Sequence, residues 1–145
     1  MQWKEEAVEK LRRYGAMQQA LINIPAEIRR LQDDAVTLRS PSAEHIAVKG
    51  SSGRRDDALI NNIAQQQELE WSLKQVKQWL TVADRGLAAL DPEERLVLER
   101  MYLTPERGAV DRLCGELGME QASVYRKRDK ALRQFTVALY GFPET

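Results

Sequence analysis

Apolar residues recur at spacings of three and four from Ala7 to Leu38, through Ala7, Tyr14, Met17, Leu21, Ile24, Ile28, Leu31, Ala35 and Leu38, with Lys10 as the one polar interruption. That period lays a stripe along one face of a long helix. Pro25 falls inside it, where a proline removes a backbone hydrogen bond and crowds the preceding turn, so a kink or a brief break is expected. The stripe resumes in phase beyond Pro25, which favours the kink. A second run, Leu59, Asn62, Gln66, Leu69, Leu73, Val76, Leu80, Ala83, Leu87 and Leu90, alternates strictly between three and four. It reads as a heptad seam, polar at its first end and apolar at its second. Between the runs, residues 40–57 carry Pro, Gly and Ser at a density that predicts a mobile loop. Two long helices with matching stripes most simply form an antiparallel hairpin over residues 1–90. Because most helix stability comes from burying such a face, a homodimer or higher oligomer through these residues is expected.

The last third of the chain has a shorter rhythm. Asp91 is placed to cap a helix, Pro92 suits its first position, and Glu94 stands where a capping box has its carboxylate. This helix is expected to run to about Leu103, with Leu96, Val97, Met101 and Tyr102 partly inward, before Thr104-Pro105 breaks it. The next helix starts there or at Gly108, with Val110, Leu113, Cys114 and Leu117 on its apolar face and Gly118 as a left-handed terminus. From about Gln121 the chain is helical again, with Val124, Ala131, Leu132 and Phe135 inward, until Gly141 and Pro143 end it. Two helices joined by a short glycine-containing turn are the signature of a helix-turn-helix. The predicted fold is therefore all-α, a long kinked helical hairpin over 1–90 followed by a helix-turn-helix module over 91–145.

Charge changes the picture more than composition does. The 145 residues balance 22 basic against 22 acidic side chains, which by itself gives no reason to expect nucleic acid. Residues 91–120, however, hold four basic and eight acidic residues, whereas 121–140 hold five basic and one acidic. Positive potential is thus concentrated on one helix beside acidic neighbours. The 43% apolar and 30% charged composition fits a folded soluble chain rather than a disordered one.

Other chemistry is sparse. One cysteine, Cys114, excludes an internal disulfide, and with a single histidine, His45, no ordinary zinc site can be assembled, so neither metal nor cofactor is expected. Cys114 takes an inward position that wants a small apolar residue, and His45 sits in the loop without a nucleophile near it in sequence. The pairs Asp33-Asp34, Asp56-Asp57 and Glu93-Glu94 are sequence neighbours, which on a helix do not face each other, and no glycine-rich phosphate loop occurs. Trp3, Trp71 and Trp79 are too widely spaced to stack bases, and Trp71 and Trp79 flank the seam, where they would help bury it or an oligomer interface. An enzyme is not expected. The start of the chain lacks a secretory pattern and no apolar run approaches a bilayer span, so a cytoplasmic protein with no membrane role is expected.

The run from Leu90 to Leu103, followed by Leu113-Cys114-Gly115-Glu116-Leu117-Gly118-Met119, Ser123-Val124-Tyr125-Arg126 and Lys130-Ala131-Leu132, resembles the helix-turn-helix of sigma factor region 4. The whole layout is similar to phage late-gene transcriptional regulators of the ArpU and RinA type. That resemblance implies a sequence-specific, double-stranded-DNA-binding regulator of phage or prophage late genes in the bacterial cytoplasm or nucleoid. It implies that Gln121, Ser123, Tyr125 and Arg126 face base edges, and that Lys127, Arg128, Lys130 and Arg133 meet phosphates. In one respect the chain departs from the pattern. Between inward Val124 and Ala131 an aliphatic residue is usual near position 127 or 128, yet both are basic here, so the helix sits differently or packs a long stem against the core. Two other readings remain open: a small-terminase-like oligomer that holds DNA for packaging, and an adaptor whose partner is RNA polymerase.

Overall fold

The computed structural model describes residues 2–40 and 51–141, so His45, Pro143 and the 41–50 part of the expected loop lie outside the described residues. Every element in it is a helix: α1 (Gln2–Arg39), α2 (Ser51–Ala88), α3 (Pro92–Leu98) with a π-helical continuation (Glu99–Leu103), α4 (Ala109–Leu117) and α5 (Gln121–Tyr140). Among the described residues no helix is long and apolar enough to cross a membrane. The chain divides into two compact units, residues 1–18 with 78–145, and residues 19–77. The first unit takes this form because Ala7 and Leu11 of α1 and Leu87 of α2 share a buried cluster with Leu98, Tyr102, Ala131, Leu132 and Phe135.

In the unit of residues 19–77, α1 and α2 run antiparallel. The Arg55 guanidinium donates to the Leu38 carbonyl at 2.9 Å, and the Asn62 amide donates to the Leu31 carbonyl at the same distance. Ile28, Leu31, Ala35 and Asn62 are buried here, and the remaining stripe and seam positions are half-buried. Helix α1 passes through Pro25 without a break. Residues 51–57, expected in the loop, are the start of α2. Gly53 is tolerated there for about 1 kcal/mol, and Arg55 offsets part of that by satisfying a carbonyl at the end of α1, where no intrahelical partner exists.

In the other unit, the inward position near the start of α1 is Leu11, 1% exposed, which the reading through Lys10 missed. Lys10 instead reaches the exposed Tyr140, its ammonium 4.7 Å from the ring centre and hydrogen-bonded to the hydroxyl. Tyr14 packs on Trp79, with ring centres 6.4 Å apart, and donates to the Asp84 carboxylate. Burial and that bond push the Tyr14 phenol up to about 12. Gly86 matters because α2 meets α5 there: a Cβ would lie 2.7 Å from Cε1 of Phe135.

Candidate nucleic-acid interface

The C-terminal helices are built from their caps inward. Asp91 is extended, at φ −71° and ψ 163°, and its Oδ1 accepts the Glu94 backbone N–H at 2.7 Å, with Pro92 opening α3. Glu94 does not lie in solvent as a capping-box carboxylate usually does. It is 5% exposed, and its Oε2 is buried without a hydrogen-bond partner. Burial and the adjacent Asp91 carboxylate push the Glu94 carboxyl up, while Lys130 and Lys127 pull against them. After Leu98 the helix widens: the Thr104 N–H and hydroxyl both donate to the Glu99 carbonyl, at 2.8 and 3.2 Å. Tyr102, within this π turn, is buried.

Helix α4 begins after Gly108, at φ 76°, the later of the two starts that the sequence allowed. It closes at Gly118, at φ 63° and ψ 37°, whose N–H bonds back to the Cys114 carbonyl, followed by Met119. Left-handed backbone of this kind suits glycine because it has no Cβ to collide with the carbonyl. Glu120 is extended at φ −73° and ψ 158°, and α5 starts at the next residue. Beneath this turn Val97, Leu113 and Val124 are 0% exposed and draw α3, α4 and α5 together, with Cys114 packed against them. Arg100 and Glu116, 3.0 Å apart, tie the π turn to α4.

The eight residues singled out on α5 separate into two groups. Gln121, Arg126, Lys130 and Arg133 are exposed, and the last three follow one another at spacings of four and three on one face. Ser123 and Tyr125 are half-buried, with Arg126 donating to the Ser123 hydroxyl at 3.1 Å. Lys127 and Arg128 point elsewhere. The Lys127 ammonium sits 2.8 Å from Glu93, with its side chain 20% exposed, and that bond holds its pKa up. Arg128 pairs with Asp129 at 2.8 Å and lies 4.9 Å from the Tyr125 ring centre. It also lines a cavity of about 470 Å³ with Lys4, Arg12 and Tyr102. Burial works against the Arg128 charge, and bonds from Asp129 and Tyr102 more than offset it. Asp129, also 3.0 Å from Lys4, is held low against its own burial by these two cations. The paired basic residues thus occupy the place where an aliphatic side chain was expected, their stems packed and their charges engaged within the unit.

Burial of Leu98, 0% exposed, also went unread in the sequence, although it stands four residues beyond buried Glu94 and so on the same face of α3. Among the described residues no cluster of metal-ligating side chains is present. Comparison with protein-family models, with curated proteins and with solved structures returned no match.

Proposed function

We propose that residues 91–141 form a helix-turn-helix whose second helix, α5, enters the major groove of duplex DNA, and that the protein is a sequence-specific transcriptional regulator. The observation that carries this reading is the face of α5 bearing Arg126, Lys130 and Arg133, exposed together, with Gln121 exposed at the helix start immediately after the Gly118 turn. An N-terminal Arg and Gln can read guanine and adenine edges, and cations further along the helix neutralise phosphates. The acidic residues on the preceding helices would repel phosphate outside that face and so limit where a duplex can dock. A late-gene regulator of phage or prophage is the role this architecture suits, by its resemblance to sigma region 4 and to the ArpU and RinA type.

Selection of bound sequences from random duplex DNA tests the reading. An enriched motif is expected, with Arg126→Ala relaxing it at one position and Lys130→Ala weakening all sequences alike. Arg133→Ala should also lower the salt slope of binding by about one, whereas Lys127→Ala should leave that slope near wild type because its charge is spent on Glu93. Binding without an enriched motif would favour a packaging protein, and no duplex binding at all would favour an adaptor for RNA polymerase; either outcome removes the regulator.

A further inference from the structure

Helix α2 carries a second periodic stripe on the side away from its seam: Asp57, Ile60, Ala64, Gln67, Trp71 and Lys74, at spacings of three, four, three, four and three. At 3.6 residues per turn, this stripe lies roughly 160° around the helix from the line through Leu59, Asn62, Gln66, Leu69, Leu73 and Val76. All six residues are exposed, and the two large apolar ones strongly so, Ile60 at 63% and Trp71 at 65%. An isolated exposed apolar residue needs no explanation, but two on one heptad line within a larger exposed stripe do.

The order of residues along the stripe identifies what covers it. Set antiparallel against a second copy of itself, the line keeps register, because its spacing of three, four, three, four and three is the same from both ends. Asp57 then faces Lys74 of the other copy, Ile60 faces Trp71, and Ala64 faces Gln67, and each pairing occurs twice. These are the layers in which alternate heptad positions meet in antiparallel coiled coils, with opposite charges at both ends, an apolar Ile60–Trp71 pair inside each, and Ala64 against the Gln67 amide at the centre. A parallel pairing would set Asp57 against Asp57 and Lys74 against Lys74. The exposed line on α1, Ile22, Ala26, Arg29, Asp33 and Val36, lacks this complementarity, since an antiparallel copy would bring Arg29 onto Arg29 at its centre. We propose that the protein self-associates about a two-fold axis through the Asp57-to-Lys74 face of α2, antiparallel, with a second copy of the chain as its occupant. Such an isologous contact closes on itself as a dimer. The inference does not rest on the DNA-binding reading, and either can fail without the other.

Sedimentation equilibrium of the full chain in the micromolar range is expected to give twice the 16.6 kDa monomer mass. Trp71→Glu should return the monomer with helical circular dichroism unchanged, since its side chain is exposed. Asp57→Lys alone and Lys74→Asp alone should each weaken the dimer by about tenfold, each converting two attractions into repulsions. The double exchange should restore it, and that rescue distinguishes the antiparallel register from a parallel one. A monomeric wild type, a dimer indifferent to Trp71→Glu, or a double exchange no better than the single ones would each overturn the proposal.

Discussion

Glu94 is the side chain most out of keeping with its surroundings, a carboxyl 5% exposed with one oxygen lacking a partner. Burial acts first to raise its pKa above the ordinary 4.5, and the neighbouring Asp91 carboxylate adds to this. Asp91 moves the other way, held below 3.8 by hydrogen bonds from the Glu94 side chain and backbone. Between its ordinary pKa and its raised folded one, Glu94 therefore binds a proton more tightly in the folded protein than in the unfolded chain. What Glu94 contributes to stability is fully present below pH 4.5 and is lost as pH rises through its folded value. Asp91 contributes above its ordinary range, and its share is lost as pH falls through its own folded value. Glu94→Gln keeps the donor toward Asp91 and cannot ionise. In urea denaturation between about pH 4 and pH 8, the variant should gain on wild type as pH rises, with the gap closing at the acid end. A gap constant with pH would mean that folding does not shift the Glu94 pKa. Lys127 and Arg128 raise a different residue-scale point. Their inward direction was readable from period alone, since both lie between the inward positions Val124 and Ala131, but residue type argued for solvent. The acceptors that decide the matter, Glu93 on α3 and Asp129 beside Lys4, come together only through tertiary packing.

At the scale of elements, periodicity was the more dependable guide. The α1 stripe, the α2 seam and the Gly118 terminus follow from spacing and glycine chemistry, and all the seam positions are at least half-buried. What spacing could not show was the π turn, the five-residue segment Glu99–Leu103, which no local composition marks. Nor did it show that α2 begins at Ser51, because the Arg55 contact that supports that end comes from α1. Three glycines turn the same reasoning into a stability prediction of mixed sign. Gly115 is exposed on α4 with nothing near its missing Cβ, so Gly115→Ala should stabilise by about 0.5–1 kcal/mol through helix propensity. Gly118 sits at φ 63°, so Gly118→Ala should cost about 1–2 kcal/mol. Gly86→Ala gains propensity too, but its Cβ would meet the Phe135 ring at 2.7 Å and Leu139 Cδ2 at 3.0 Å. Phe135 is 0% exposed and has nowhere to move, so overpacking of about 1–3 kcal/mol should win. Thermal denaturation of the three variants reads all three signs. A Gly86→Ala protein as stable as Gly115→Ala would mean that α2 and α5 are not in close contact.

Across the whole molecule, the two compact units differ in how much core each has. The unit of residues 1–18 and 78–145 holds most of the fully buried side chains, among them Leu11, Leu87, Val97, Leu98, Leu113, Val124, Leu132 and Phe135. The unit of residues 19–77 buries Ile28, Leu31, Ala35 and Asn62, and one of these is polar. Asn62 is satisfied, donating to Leu31 and accepting from Gln66 at 2.7 Å, yet it adds less than an apolar residue would. Two helices with so thin a core are marginal by themselves, because one partner helix covers only part of each apolar face. Opening free energies within one chain range from near zero up to the global value, and they follow this density of buried contacts. Backbone amides in 19–39 and 51–77 should therefore exchange with solvent well before those of α4 and α5 in a dilute sample. If a second copy covers the Asp57-to-Lys74 face, protection across 57–74 should also rise with chain concentration, as linkage requires of any partner that binds only the folded form. Amides of α5 should not respond. Hydrogen exchange followed by mass spectrometry at two concentrations separates these effects. Uniform exchange in both units would contradict the core argument. Slow exchange of 57–74 that does not depend on concentration would assign its protection to the single chain and leave the second copy no part in it.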